Sequence, residues 1–292
     1  MAYREGLVVR ARGGFLDVES NGEIWRCYLP GKYRWLRQEV VPGDRVRFRL
    51  LPDRSGAIEE VLPRETYLLR PAVANVRQVV IVMSLLEPPV NRLLLDRLLV
   101  LAEAAGIAPA ITFNKVDLVG GEPGSLPPLY QNLGYPVIVT SALSGQGVNE
   151  LADLLRDTVS VFAGPSGAGK SSLLNAIHPE LRLKTGAVSE KLGRGRHTTR
   201  HVELLRLPQG GWVADTPGFS QLYLPALRRE ELGYCFPEIA SRLGNCRFSS
   251  CLHRQEPGCA VRAALEAGEI DPERYSHYLE FLEEIIRAER NY

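Results

Sequence analysis

A glycine-rich segment with a single lysine lies near the middle of the 292-residue chain. Residues 164–171 read Gly-Pro-Ser-Gly-Ala-Gly-Lys-Ser and fit the pattern G-x-x-x-x-G-K-[ST], between a strand-like segment and a helical one. Glycines let backbone N–H groups turn toward phosphate oxygens, and the following helix adds its positive dipole end. The pattern predicts a phosphate-binding loop in which Lys170 reaches the terminal phosphates and Ser171 supplies a Mg²⁺ ligand. The residues expected to contact the nucleotide here are Gly164, Pro165, Ser166, Gly167, Ala168, Gly169, Lys170, Ser171 and Ser172.

A second motif, Asn-Lys-Val-Asp at residues 114–117, follows an apolar segment and distinguishes between nucleotide bases. The Asp117 carboxylate can accept hydrogen bonds from N1–H and the 2-amino group of guanine, whereas adenine offers neither pattern. A buried polar group without its partner costs about 1–3 kcal/mol, so the motif favours guanine. A Ser-Ala pair after the next predicted strand is expected to form a second base-contacting loop. The residues expected at the base are Asn114, Lys115, Asp117, Ser141 and Ala142, the last through its backbone N–H.

Two further segments are expected to sense the terminal phosphate. Residues 215–218, Asp-Thr-Pro-Gly, follow a predicted strand over residues 212–214 and match the D-x-x-G element. In that element Asp215 would bind Mg²⁺ through water and the Gly218 N–H would contact the γ-phosphate. Residues 193–200 form a glycine-rich basic stretch in which a threonine is expected to coordinate Mg²⁺ when a triphosphate is bound. Thr198 and Thr199 are both available there, and Thr199 is favoured.

Phe219 follows the D-x-x-G element at the position where Ras-like enzymes carry a water-orienting glutamine. A phenyl ring cannot polarise water, so another group must do so, or hydrolysis is slow until a partner helps. His197 is the candidate, because an imidazole can orient water or accept its proton. The alternative is that His197 contacts phosphate or RNA. The predicted catalytic residues are therefore His197, Lys170 and Thr199.

A cluster of cysteines near the end of the chain has the spacing of a metal site. Cys246, Cys251, His253 and Cys259 offer three thiolates and one imidazole within a short segment. Such a set completes a tetrahedral, closed zinc site, and thiolates favour zinc over Mg²⁺ or Ca²⁺. The alternative is three buried free cysteines near an unrelated histidine. We expect one structural Zn²⁺, which would supply folding energy to a segment with little core of its own.

Composition limits the class of protein. The chain is 45% hydrophobic and 24% charged with a formal net charge of +1, which suits globular domains and excludes a generally basic polyelectrolyte. No apolar run approaches the length of a membrane span, and the first residues lack the apolar core of a signal peptide. We therefore expect a cytoplasmic protein without membrane or DNA contacts, and a monomer.

Hydrophobic patterning divides the chain into three parts. Short apolar runs separated by turn signals, including Asn21-Gly22, predict an OB-like β-barrel over residues 1–66. Alternating apolar strands and helices predict a doubly wound parallel sheet over residues 67–224. Residues 225–292 are predicted to be mostly helical, with the metal site, and to end in an amphipathic helix from Pro272 to Arg290. The fold class is thus multidomain α/β, with a P-loop GTPase domain in the middle.

A basic and aromatic stretch on the predicted barrel suits RNA. Residues 25–37 contain four aromatic residues, several cations and no acidic residue. Aromatic rings stack on bases while cations pair with phosphates. The alternative is that Trp25 and Tyr28 belong to the barrel core and the cations are merely solvated.

The order of the motifs is permuted, because the base motif at residue 114 precedes the phosphate loop at 164 and the D-x-x-G element at 215. A circular permutation explains this order without a change of fold, since the termini of compact domains often lie close together. With this order, the barrel pattern and the cysteine–histidine spacing, nearly the whole chain resembles the bacterial ribosome small-subunit-dependent GTPases of the RsgA (YjeQ) family. A further threonine that is frequent in that family is replaced here by Arg200.

The resemblance implies a late maturation factor that binds GTP and GDP with Mg²⁺, contacts the small ribosomal subunit and its rRNA near the decoding region, and hydrolyses GTP strongly only when bound there. It also implies His197 as the catalytic group of the glycine-rich basic stretch. One alternative is a nucleotide-gated rRNA-binding module in which turnover is incidental. A third hypothesis is an RNA-cleaving or RNA-modifying enzyme, but the sequence shows no second set of catalytic residues.

Overall fold

The computed structural model describes residues 3–29, 31, 39–69, 71–183, 202–219 and 227–290, with backbone alone for 215–219. Its first part is a closed five-stranded barrel. Strand β1 pairs with β2, β2 with β3, and β4 with β5; a parallel β3–β5 pairing and an antiparallel β1–β4 pairing close the ring. The predicted hairpin turn at Asn21-Gly22 is confirmed, and both residues have positive φ. The barrel strands are β1 (Tyr3–Arg12), β2 (Phe15–Ser20), β3 (Glu23–Tyr28), β4 (Arg45–Leu50) and β5 (Gly56–Val61).

The middle part is a parallel sheet in the order β10-β9-β8-β11-β13, with β12 added antiparallel to β13. Its central strand β8 is buried along its whole length, as expected for a sheet covered on both faces. These strands are β8 (Gln78–Ser84), β9 (Ala108–Asn114), β10 (Val137–Val139), β11 (Val159–Ala163), β12 (Glu203–Arg206) and β13 (Trp212–Phe219).

Helices cover both faces of this sheet, which confirms the predicted doubly wound arrangement. One face packs against α1 (Arg92–Ala104) and α2 (Leu126–Asn132), and the other against α3 (Val148–Leu154) and α4 (Lys170–Ile177). Helix α1 begins where the Asn91 side chain accepts a hydrogen bond from the backbone N–H of Leu94.

The barrel strands and the parallel sheet form one continuous eleven-stranded sheet, because β1 pairs with β12. A small hairpin, β6 (Tyr67–Leu69) with β7 (Ala72–Ala74), lies between the two parts in sequence. Its Leu68 and Val73 are buried in the same cluster as Val9 of β1, so apolar packing accompanies the strand pairing at this junction.

The last part is helical and packs against α1. It contains α5 (Pro237–Ala240), α6 (Ala260–Glu266) and α7 (Pro272–Arg290), and the sequence pattern predicted the bounds of α7 as the structure has them. Phe236, Tyr278 and Phe281 form the centre of its apolar core. Among the helices that the structure describes, none has the length and apolar character needed to cross a membrane.

Strand β13 is longer than the sequence indicated. The expected strand ended at Ala214, whereas β13 continues through Asp215 to Phe219. Pairing extends it: Asp215 lies opposite Glu203 of β12, and Phe219 opposite Ala163 of β11. These tertiary pairings outweigh the turn preference of a Thr-Pro-Gly sequence.

Candidate nucleotide site and metal centre

The glycine-rich loop connects the end of β11 to the start of α4, so it lies at the carboxyl edge of the parallel sheet. Two glycines are required by contact. A Cβ on Gly164 would lie 2.1 Å from the Val82 carbonyl oxygen, and one on Gly169 would lie 2.2 Å from the Asn114 side-chain nitrogen. Both residues also have positive φ. Ala168 is buried, Ser166 and Gly167 are exposed, and Pro165, Ser171 and Ser172 are half-buried.

Lys170 folds back into the loop that it follows. Its Nζ donates hydrogen bonds of 2.8 Å to the carbonyl oxygens of both Gly164 and Pro165. Burial lowers the pKa of Lys170, because the ammonium group loses water and gains only neutral partners. An anionic phosphate at the loop would provide the negative charge that these neutral carbonyl groups lack.

Asn114 joins the base motif to the phosphate loop. Its buried side chain donates to the Ala168 carbonyl oxygen (2.9 Å) and accepts from Thr140 Oγ1 (3.1 Å) and the Ala142 N–H (3.3 Å). One amide therefore holds three segments that are distant in sequence at one edge of the sheet. The Ala142 N–H, which was expected to contact the base, donates here to the Asn114 side chain.

The remaining base-site residues surround this amide. Lys115 has a left-handed backbone, and its Nζ donates to the Glu87 carbonyl oxygen. Asp117 is exposed at the start of a 3-10 turn, where a base can reach its carboxylate. Ser141 is buried and accepts from the Ser144 N–H at 3.1 Å. Leu143, the next residue of this predicted loop, is 86% exposed.

The phosphate-sensing segments are described in part. Asp215 and Gly218 lie in β13, whose end pairs with the last residue of β11, so their backbone runs beside the start of the phosphate loop. His197, Thr198 and Thr199 lie outside the described residues.

The four predicted metal ligands come together. Cys246 Sγ lies 4.0 Å from Cys259 Sγ, each of these atoms lies 3.5 Å from His253 Nδ1, and all four ligand atoms, including Cys251 Sγ, lie within 4.8 Å of one another. A tetrahedral ion with Zn–S near 2.3 Å and Zn–N near 2.0 Å requires separations of about 3.5–3.8 Å. The cluster therefore fits a tetrahedral cation.

The protonation of the cluster agrees with a metal site. Burial raises the pKa of the Cys251 thiol to about 12 and lowers the pKa of His253. A neutral imidazole can bind a cation, and a bound cation can displace the proton of a thiol.

Helix α7 and one glutamate support the loop that carries the cluster. Tyr275 OH donates to the His253 carbonyl oxygen at 2.6 Å, and Tyr278 OH to that of Leu252 at 3.1 Å. Glu256 accepts from the backbone N–H groups of residues 252, 254 and 255. Sequence spacing gave no sign of these supports, because tyrosines on an amphipathic helix are typical core residues.

The outer face of the barrel carries exposed rings beside cations. Phe15 and Tyr28 lie opposite each other on β2 and β3 with ring centroids 5.1 Å apart, and the Arg26 guanidinium lies 6.0 Å from the Phe15 centroid. An open depression of about 590 Å³ adjoins them. It is lined by Asp17, Ile24, Arg26, Tyr28, Asp53, Arg54 and Ser55.

Part of the predicted RNA stretch belongs to the barrel instead. Trp25 is half-buried, packs near Phe48 and lies beneath the Arg4 guanidinium, and Cys27 is buried. Residue 30 and residues 32–38 lie outside the described part of the chain.

A base motif, a phosphate loop and a D-x-x-G strand meet at one edge of a parallel sheet, in the chain order 114, 164, 215. This arrangement defines the class: the protein is a circularly permuted P-loop GTPase with an N-terminal barrel and a C-terminal Cys/His cluster. The model of the RsgA GTPase family matches residues 61–225, and that of the RsgA N-terminal domain matches residues 5–58. The chain belongs to the RsgA GTPase family.

Relatives of similar length support this assignment. A small ribosomal subunit biogenesis GTPase RsgA from Moorella thermoacetica is 56% identical over 99% of both chains, and one from Geobacillus thermodenitrificans is 47% identical over 99% of both. The crystal structure of YloQ, a circularly permuted GTPase, has a TM-score of 0.84 at 38% identity, covering 98% of this chain and 96% of that one. YjeQ from Thermotoga maritima has a TM-score of 0.82 at 36% identity, covering 98% of this chain and 99% of that one.

Proposed function

We propose that this GTPase acts in the late maturation of the small ribosomal subunit and that the subunit stimulates its hydrolysis of GTP. The observation that carries the proposal is the Asn114 amide, which holds the base motif, the second base loop and the phosphate loop as one site. The name of the Moorella relative supplies the subunit as partner. We further propose rRNA as the ligand of the barrel, a monomeric protein in the cytoplasm, and no role for DNA or membranes.

The nucleotide site would divide its work among residues of three segments. Asp117 would accept from the guanine edge, while Lys115 would lie along base and sugar. Lys170 would leave its two carbonyl partners for the phosphates, because a charge-assisted hydrogen bond is stronger than a neutral one. Bound Mg²⁺ would neutralise phosphate charge, and the residues that would hold it are Ser171, Thr199 and Asp215.

Hydrolysis joins a water oxygen to the γ-phosphorus and breaks its bond to the bridging oxygen, giving GDP and inorganic phosphate. His197 would hold the attacking water, since the Phe219 ring cannot do so. Lys170 would stabilise the negative charge that develops on the transferred group.

The cysteine–histidine cluster would hold one Zn²⁺. Three thiolates and one imidazole suit zinc, and such a closed set leaves no position for a substrate, so the role is structural. The parts of the chain would then be a barrel that binds RNA (1–66), a permuted GTPase domain (67–224) and a zinc-binding helical domain (225–292).

The outer face of the barrel would bind rRNA through Phe15, Tyr28 and Arg26. Exposed rings can stack on unpaired bases, and a guanidinium beside them can pair with phosphate. Asp17 and Asp53 in the same depression would disfavour a purely electrostatic contact, which is consistent with a surface that selects particular unpaired bases.

The decisive experiment measures GTP turnover of the full chain with and without purified small ribosomal subunits. We expect stimulation by orders of magnitude in the wild type. His197→Ala should lower stimulated kcat by about 10²–10⁴-fold with little change in GTP affinity. Lys170→Ala is the contrasting variant, because it should weaken nucleotide binding itself. Absence of stimulation in the wild type would exclude the proposed function.

The alternative, a nucleotide-gated rRNA-binding module, predicts a different result in the same assay. Subunit affinity would then depend on whether GTP or GDP is bound, while turnover would stay at its basal rate. Guanine specificity is separately testable with Asp117→Asn, which replaces an acceptor with a donor and should shift preference toward xanthine nucleotides. Full GTP affinity without a gain for XTP would show the base site to be wrongly assigned.

A further inference from the structure

A row of charged residues crosses five adjacent strands, from the outer face of the barrel to the GTPase sheet. Arg26 of β3 lies opposite Asp17 of β2, which lies opposite Arg10 of β1. Arg10 in turn lies opposite Glu203 of β12, which lies opposite Asp215 of β13. We call these five residues the charged row.

Arg10 is the residue of the row at the boundary between barrel and GTPase sheet. Its Nη2 donates to the Glu203 carboxylate, and its Nη1 lies 3.7 Å from an oxygen of Asp17. One guanidinium is thus shared between a carboxylate of the barrel and one of the GTPase sheet. The Arg10 and Glu203 side chains are 37% and 38% exposed, so water screens the pair and exchange of partners costs little.

The two ends of the row lie at the two sites proposed above. At one end, Arg26 stands beside Phe15 on the face proposed to bind rRNA. At the other, Asp215 is the residue proposed to hold Mg²⁺ beside the γ-phosphate. Strand β12, which carries Glu203, is hydrogen-bonded to β1 on one edge and to β13 on the other, so a shift of β12 is passed directly to the strand of Asp215.

We propose that Arg10 and Glu203 are positioning residues that couple RNA on the outer face of the barrel to the placement of Asp215, and so to the rate of GTP hydrolysis. This inference rests on the proposed function, subunit-stimulated hydrolysis of GTP.

The alternation of charge supplies the physical basis. Arg26 lies opposite Asp17, so a phosphate bound at Arg26 would bring further negative charge to the Asp17 side of Arg10. Arg10 is then drawn toward Asp17, and its hold on Glu203 weakens. Glu203 lies opposite Asp215 in the pairing of β12 with β13, so a change in the hold of Arg10 on Glu203 acts on the strand that carries Asp215.

The test uses full-length Arg10→Gln and Glu203→Gln, with Arg12→Gln as the matched control. Arg12 is exposed on the same strand, lies opposite Phe15, and pairs with no carboxylate among the described residues.

Four quantities are measured: affinity for fluorescent GDP, affinity for purified small subunits, basal turnover and subunit-stimulated kcat. We expect the first three to stay within about twofold of wild type, and stimulated kcat to fall about 5- to 30-fold in Arg10→Gln and Glu203→Gln only.

The double variant Arg10→Gln/Glu203→Gln separates coupling from an independent structural role. Residues that act through one another are not additive, so the double variant should lose no more stimulation than either single variant. Three results would overturn the inference: unchanged stimulation, an equal loss in Arg12→Gln, or a loss explained by weaker subunit binding. If the wild type itself shows no stimulation, the proposed function fails instead, so the two failures are distinguishable.

Discussion

The GTPase sheet has a neighbour on each side, and the two junctions are built differently. Toward the barrel, Arg10 and Glu203 form an ion pair that is more than a third exposed. Toward the helical part, Arg274 of α7 is 1% exposed and contacts Asp96 of α1 and Glu238 of α5. A buried charge cannot exchange its partner for water, so the second junction is fixed, whereas the first can change partners.

Further contacts complete the fixed junction. Asp96 also accepts from Tyr130 OH at 2.9 Å and lies 2.6 Å from His277 Nδ1. Arg274 lies between the rings of Tyr130 and Phe236, each centroid 5.2 Å from the guanidinium carbon. The helical part is therefore expected to move with α1 as one body, and any relative motion belongs to the barrel side.

The largest effect is expected from Arg274→Met, which leaves Asp96 and Glu238 buried without a cation. Breaking a buried pair in this way costs about 3–5 kcal/mol. Urea unfolding should show the loss, and Arg287→Met, an exposed position on the same helix, should change stability by less than about 0.5 kcal/mol. A similar small change for both variants would contradict the comparison.

A smaller effect is expected when the metal ligand set is broken. Cys251→Ser, or chelation, should remove hydrogen-exchange protection around residues 246–259 and cost about 1–3 kcal/mol, with GTP affinity largely kept. The Arg274 contacts do not include the cluster, so the junction with α1 should persist. Ser250→Ala is the control. If elemental analysis finds no zinc in the purified protein, the assignment of the metal is wrong.

The pH dependence of the fixed junction should be modest. Burial alone would raise the pKa of Asp271, but hydrogen bonds from the Arg274 N–H and the Arg92 guanidinium outweigh it, so the pKa is lowered. Because the folded pKa lies below the unfolded value of about 3.9, the ionised Asp271 carboxylate stabilises the folded protein above that pH. This stabilisation is lost as the pH falls through the folded pKa. Asp271→Asn should lower stability by less than about 1 kcal/mol at pH 7, and the difference should shrink as the pH falls below about 3.9 and disappear below the folded pKa.

The smallest effect on stability is expected at the open junction. Arg10→Gln should change the free energy of unfolding by less than about 0.5 kcal/mol, because the pair with Glu203 is exposed. The same urea titration as for Arg274→Met gives the direct contrast. A loss of several kcal/mol would show that the barrel junction is as fixed as the other.

Local patterns predicted much of the molecule. The phosphate loop, the four metal ligands and the bounds of α7 depend on residues that are close in sequence. The structure brings the four ligands together and has α7 at the predicted bounds. Asp96, Glu238 and Arg274 gave no signal, because a single charge on an amphipathic helix usually indicates a solvated face. The length of β13 and the charged row were equally hidden, since both depend on strand register, which the pairing partners set.

The pairing of β1 with β12 also has a consequence for synthesis of the chain. Arg10 and Glu203 are 193 residues apart, so at about 5–20 residues per second β12 is made roughly 10–40 s after β1. The barrel can close in that interval through β1, β2 and β4, but the edge that β12 will cover stays open. An open strand edge invites pairing with other nascent chains, and charged side chains discourage it. Arg10 and Arg12 place two charged side chains on β1 before Arg10 meets its final partner on β12.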